Sequence, residues 1–383
     1  MNTNPDHFEA LRLACTDGDS ASVQSLLINH RVNPSNNQNI VIRLASENGH
    51  ADIVKILLQE SRVDPSAGNN KSIRIASRNG HLKIVELLLE DFRVDPSAEK
   101  NYAIRLSSQY GRTEIVKLLL QDYRVDPCAE DNFAIRFACR NGHVGVVRAL
   151  LPRVDPTVLD NDPIRFASKN GHKEVVEALL EDSRVDPAAD DDYAICHASK
   201  NGHFLVVQSL LQNPRVSAFA RNNEPISFAC ENGRYDIVKL LLKDGRADPT
   251  ADENNAICKA SENGHAQVVE LLLQDPRVEP SAKNNHAIRA ASGCGYAEVV
   301  KALLQDINRP TDRRADPTAD ENFAIICASQ NGHAEVVELL LQDGRADPSA
   351  DDNAAIRLAT ENGYTDVVRL LKAHRNQQGH VRN

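Results

Sequence analysis

The chain has 383 residues and a formal net charge of −10. That acidity speaks against wholesale attraction to nucleic acid or to an anionic lipid surface. No apolar run approaches the ~20 residues needed to span a bilayer, and the opening MNTNPDHFEALRLACTD lacks the basic and apolar regions of a secretory signal, so the expected location is cytoplasmic, or a nucleus entered with a partner.

Length alone would suggest two or three globular domains, but a fixed period overrides it. The glycine that ends each copy falls at 18, 49, 80, 111, 142, 171, 202, 233, 264, 295, 332 and 363; nine of the eleven spacings are 31 residues and the others are 29 and 37. A period of this size predicts one stacked array whose core grows with each unit. Taken in order, the chain reads as a polar tail at 1–6, an array of about twelve copies over 7–374, and a polar tail at 375–383.

Each copy has three parts. The first, AIRxASxNGH, sets Ile42, Ala45 and Ser46 on one face of a short helix. Alanine and serine there let a neighbouring helix approach closely, and the glycine is the expected C-terminal stop. Asn39, Asn70 and Asn101 mark the other end, with Asp192 in the same slot, as helix caps or members of a tight turn. The second part is a helix with a wider apolar face, Ile53, Val54, Leu57 and Leu58 in one copy and Val268, Val269, Leu272 and Leu273 in another. The third, RVDPSADDN, carries turn chemistry and predicts an extended arm or loop projecting from the helix pair.

Two copies depart from this frame. After Leu150 and Leu151 the loop is two residues short, and after Asp306 six residues (307–312) are inserted. The helices should be unaffected, with a local change of curvature or a displaced loop. Polar substitutions in the terminal copies, among them Asp19, Ser20, Ser22, Thr365 and Asp366, suit caps of an array. Eight cysteines show no C-x-x-C and no framework spacing; Cys15, Cys139 and Cys230 occupy the slot filled by Ser46 and Ser77 elsewhere, which predicts reduced, buried thiols.

Helix, turn, helix and loop at about thirty residues resembles the ankyrin repeat. The family pattern T-P-L-H-x-A-A-x-x-G-H-x-x-V-V-x-L-L-L is echoed by residues 255–273, through Ala256, Ile257, Ala260, Ser261, Gly264, His265, Val268, Val269, Leu271, Leu272 and Leu273. The likeness covers residues 7–374. Composition of this sort also resembles the large ankyrin sets of giant viruses and some protists. The period is two residues below the family's 33, which implies stubbier loops, and the T-P-L-H hydrogen-bond network is absent. The resemblance implies an all-α repeat solenoid, built of stacked helix-turn-helix units with short projecting loops or hairpins. It further implies a monomeric scaffold or adaptor that binds one or more proteins on a concave face of first helices and loops, without cofactor, metal or catalysis. An alternative is an effector or substrate receptor recruiting a machine such as a ubiquitin ligase, weakened because no F-box-like segment follows Leu371. A third class, an unrecognised enzyme, finds no P-loop, G-x-S-x-G, HExxH or dinucleotide fingerprint to support it.

Four recurrent features are candidate sites. Histidines after the turn glycine, such as His50 and His81, stand one per copy, too far apart to share a metal, and read as structural. Arginines in the slot of the family's T-P-L-H histidine (Arg12, Arg43, Arg74, Arg105, Arg136, Arg165, Arg289, Arg357) offer a basic strip, or bond loop carbonyls or an Asp such as Asp64 or Asp95. The slot after the first-helix serine is largely basic early, with Arg78, Arg140, Lys169 and Lys200, and acidic later, with Glu231, Glu262 and Glu361. Aromatics Tyr102, Phe133 and Tyr193 follow the loop Asn or Asp, where they either contact a partner or pack on the neighbouring loop. The candidate protein-binding residues are therefore Tyr102, Phe133, Arg140, Lys169, Tyr193 and Lys200.

Overall fold

The computed structural model describes residues 5–29, 32–306 and 309–381. Most of the expected N-terminal tail, residues 307–308 of the insertion and the last two residues of the C-terminal tail lie outside the described residues. The chain divides into two compact units, Met1–Asp186 and Pro187–Asn383. The first pairs α1 (Pro5–Asp17) with α2 (Ser20–Asn29), α3 (Asn36–Asn48) with α4 (Ala51–Gln59), α5 (Ala67–Asn79) with α6 (Leu82–Leu89), α7 (Ala98–Gln109) with α8 (Thr113–Leu119), α9 (Ala129–Arg140) with α10 (Val144–Leu150), and α11 (Val158–Lys169) with α12 (Lys173–Leu180). The second pairs α13 (Ala189–Asn201) with α14 (Phe204–Leu211), α15 (Ala220–Glu231) with α16 (Tyr235–Asp244), α17 (Ala251–Glu262) with α18 (Ala266–Leu273), α19 (Ala282–Cys294) with α20 (Ala297–Gln305), α21 (Ala319–Gln330) with α22 (Ala334–Asp343), and α23 (Ala350–Glu361) with α24 (Thr365–Val381). No strand occurs among the described residues.

Within each unit the pairs stack in register, first helix on first helix and second on second. The apolar periodicity explains why. Ile42, Ala45 and Ser46 of α3 and Ile53, Val54 and Leu57 of α4 are all buried, and Val268, Val269 and Leu272 of α18 likewise. Leu58 and Leu273, read as core, are only half-buried. First helices pack on one another more extensively than second helices do, because alanine and serine at the contact leave room for close backbone approach. One such short pair buries too little apolar surface to offset its chain entropy, so stacking supplies the stability.

The third part of each copy does not form a hairpin. Just inside the start of each first helix from α3 onward, three successive residues adopt left-handed dihedrals that kink it: Glu99 (φ 54, ψ 49), Lys100 (φ 58, ψ 49) and Asn101 (φ 60, ψ 38) in α7, for example. Such a run is costly for most side chains, and Asn, Asp and Gly bear it best. Those residue types fill most of these positions, as in Gly68-Asn69-Asn70, Asp190-Asp191-Asp192 and Asn284-Asn285.

The final residue of the turn is the Asn (or Asp192) read as a cap. Its side-chain oxygen accepts the backbone N–H of the residue before proline (Ser217 in one copy) in the next copy. Within the first unit Asn39 accepts from Asp64 (2.9 Å), Asn70 from Asp95 (2.8 Å), Asn101 from Asp126 (2.8 Å) and Asn161 from Asp186 (2.9 Å). In the second, Asp192 accepts from Ser217 (2.8 Å) and Asn223, Asn254, Asn285 and Asn322 follow suit at 2.7 Å. The aspartate before proline closes its own turn: Asp64 Oδ1 accepts from Ser66 N (2.9 Å) and Oγ (2.6 Å).

A second link runs through the arginine of RVDP. Arg93 grips Asp91 with two guanidinium nitrogens (2.9 and 2.6 Å) and donates to the Val63 carbonyl of the previous copy (2.8 Å). Arg124 does the same with Asp122 and Val94, and Arg246 with Asp244 and Val216.

The irregular copies differ in how they treat these links. In the short copy, residues Leu151–Arg153 form a 3-10 turn, Arg153 reaches the Leu120 carbonyl, and Asn132 Oδ1 is buried with no partner. In the long copy both links survive. Arg309, 7% exposed, holds Asp306 (2.5 Å) and the Val278 carbonyl, while Asp316 N still reaches Asn285. Residues 310–315 lie between these two anchors, where a regular copy such as Arg93-Val94-Asp95 has one residue.

Candidate functional site

The recurrent NGH motif turns out to be a clamp. His143 Nε2 lies 3.0 Å from the Gln109 carbonyl of the previous copy, and Asn141 Nδ2 donates to the same oxygen at 2.9 Å. That carbonyl ends α7, where the helix supplies it no partner. His172 and Asn170 treat Arg140 O alike (2.9 and 2.8 Å), as do His333 and Asn331 with Gly293 O. The turn glycine of the previous copy, Gly111, is needed twice over: φ is +72, and a Cβ there would stand 2.6 Å from the His143 ring. Where arginine replaces histidine, Arg112 and Arg234 donate to the equivalent carbonyls (3.3 and 3.2 Å). The histidines are thus structural, as their spacing predicted. No group of three His, Cys, Asp or Glu residues able to hold a metal occurs among the described residues.

The arginines of the first helices are also largely occupied. Arg74 donates to the Asn69 and Gly68 carbonyls (2.9 and 3.0 Å) and Arg105 to those of Lys100 and Glu99 (2.8 and 3.0 Å), tying down the left-handed turn of their own copy. Arg136 pairs with the buried Asp162 at 3.3 Å. Asp64 and Asp95, offered as partners from the sequence, serve their own turns instead.

What these arginines and the aromatics build together is a continuous run of rings and cations on the first helices of the first unit. Arg74 lies over the Tyr102 ring (5.2 Å to its centroid), Arg105 over Tyr102 (5.9 Å) and over Phe133 (5.3 Å). Phe133 stacks on Phe137 at 3.9 Å, Arg140 lies 5.3 Å from Phe137 and 4.0 Å from Phe166, and Lys169 sits 5.7 Å from Phe166. Tyr102, Phe133, Arg140 and Lys169 are all half-buried and all belong to this run. In the second unit Tyr193 stacks on His197 (3.7 Å), His197 meets Phe228 edge-on (6.4 Å), and Lys200 lies over Phe228 (5.1 Å).

Phe137, Phe166 and Phe228 were not among the candidates. They share the variable slot two residues before the serine or cysteine position, which holds Leu44, Ile75 and Leu106 in other copies. A half-buried leucine slot gives no functional signal; only the coincidence of a ring there with a cation three residues later does.

Charge is locally matched at the turn tips but not throughout. Lys100 holds Glu130 at 2.8 Å and keeps its carboxyl below the ordinary value. The guanidinium of Arg140, by contrast, has no hydrogen bond or ion pair among the described residues.

A family model described as ankyrin repeats (3 copies) matches residues 11–100, 73–162, 100–191, 164–253 and 287–383. No curated protein matches the chain.

Proposed function

The chain belongs to the ankyrin-repeat family, a protein–protein interaction module, and from that premise we propose that it is a non-catalytic scaffold or adaptor whose first-helix face receives a partner protein. The run of rings and cations from Arg74 to Lys169 carries this reading. Aromatic and arginine side chains held in fixed positions lose little entropy on contact and dominate the energetics of protein interfaces. A standard interface takes ~800 Å² from each partner, within reach of a few copies. The helices that carry this face lie within α5 to α11.

Among the described residues no helix is long and apolar enough to cross a membrane.

The test is a cross-linking pull-down from the source cell, with the native chain and a Lys169→Glu/Lys200→Glu variant as baits. Lys200 is exposed and Lys169 half-buried, so a melting curve of the variant that matches the native chain's is the control that the fold is intact. A partner lost from the variant supports the reading. Identical partners with both baits would remove these lysines from the site, and the absence of any partner would overturn it.

A further inference from the structure

We propose that Arg140 is a receptor for a single carboxylate side chain of the partner, a Glu or Asp in an acidic segment; this rests on the protein-binding reading above. Three observations converge. The guanidinium lies 4.0 Å from the Phe166 centroid and 5.3 Å from that of Phe137, so rings from two adjacent copies bracket it. Its planar fork is thereby held in place before any ligand arrives, which lowers the cost of binding. Its donors are all unclaimed among the described residues, whereas Arg74, Arg105, Arg136 and Arg165 on the same face spend theirs on carbonyls or on Asp162.

The surrounding charge favours the same ligand. Arg136, over Phe137 at 6.0 Å, is compensated by Asp162, while Lys169 adds a second cation over Phe166 at 5.7 Å. Ring faces on either side lower the local dielectric and strengthen a charge-assisted bidentate pair. A polyanion such as single-stranded nucleic acid would also meet rings and cations here. The single planar fork that Arg140 offers matches one carboxylate, and direct comparison with oligothymidylate tells the two ligands apart. Arg78 supplies an internal comparison. It occupies the equivalent slot, is exposed, and has no ring against its guanidinium among the described residues.

The experiment is fluorescence anisotropy at low salt on the full chain, using fluorescein-labelled octaglutamate, with octaglutamine and an eight-nucleotide oligothymidylate as comparisons. Octaglutamate should bind and octaglutamine should not. Arg140→Gln should weaken binding by about tenfold, Arg140→Lys should recover only part of it because the fork is lost, and Arg78→Gln should change it by less than about twofold. Unchanged melting of Arg140→Gln shows that the fold is intact. Failure of octaglutamate to bind, equal losses at Arg140 and Arg78, or tighter binding of oligothymidylate would each overturn the proposal. A partner still captured in the pull-down while octaglutamate fails would sink the carboxylate site alone and leave the protein-binding reading standing.

Discussion

Removing the turn asparagine should cost stability in one copy and almost none in another. Asn70 and Asn132 sit at the same point of the left-handed turn, with φ of 58 and 55. Replacing either by alanine adds the same backbone strain, on the order of 1 kcal/mol for a left-handed residue, so the strain cancels in the comparison. What remains is the hydrogen bond. Asn70 Oδ1 accepts the Asp95 N–H at 2.8 Å in a part-buried setting, whereas Asn132 Oδ1 is buried and unpartnered. Losing the first leaves a donor unmatched, at about 1–2 kcal/mol once its partial exposure is allowed for; losing the second removes an oxygen already unmatched. Asn70→Ala should therefore be the more destabilising by about 1–2 kcal/mol. Long arrays do not unfold in one step, so native-state hydrogen exchange is the suitable assay. Protection of the Asp95 amide should fall by roughly tenfold in Asn70→Ala, while no amide in the short copy should respond comparably in Asn132→Ala. Equal losses at the two sites would refute the role given to this bond.

Three further outcomes can be checked. Leu272, fully buried in α18, should lose about 2–5 kcal/mol when cut to alanine, and a negligible change in urea unfolding would mean the helix register is wrong. Asp91, Asp122, Asp182, Asp244 and Asp275 are each held below their ordinary carboxylate value, chiefly by hydrogen bonds from the arginine two residues on. Their folded pKa being lowered, the stability they contribute is fully present above the unfolded value, ~4, and drains away as pH falls through the folded value. An acid titration followed by circular dichroism should thus show a decline below about pH 4 that is shallower in Asp91→Asn/Asp122→Asn; an unaltered slope would count against the link. Burial pushes the thiols of Cys15 and Cys196 up to about 12 and that of Cys258 to about 11, while Cys128 and Cys294 are exposed. A thiol reagent at mildly alkaline pH should modify the two exposed cysteines promptly and the buried ones only on unfolding, and rapid reaction of Cys196 would contradict its burial.

The helices could be read from the chain because their cause is periodic. Ile42, Ala45 and Ser46 and then Ile53, Val54 and Leu57 fall on faces that must be covered, and the glycine after each asparagine ends the helix for a steric reason visible in its identity. The links between copies were much less legible. Asn39 does carry a turn signal, but its partner is the main chain of Asp64, and a main-chain donor leaves no trace in residue identity. A run of three left-handed residues likewise has no period to detect; only its enrichment in Asn, Asp and Gly hints at it. The candidate surface was half legible. Arg140 and Lys169 stood out as a basic slot, but the rings that give Arg140 its setting, Phe137 and Phe166, occupy a position where leucine serves equally well for packing.

The unequal treatment of the two irregular loops bears on how such a chain can change length. Arg309 and Asp316 are both fastened to the preceding copy, with residues 310–315 between them where a regular copy has one; the shortened loop leaves Asn132 Oδ1 unmatched. Growth and loss at this point are therefore not mirror images. A lineage can lengthen the segment with its anchors intact, whereas each deletion must give up a bond. For the same reason the stretch between Arg309 and Ala315 is a natural site for grafting a foreign peptide or reporter.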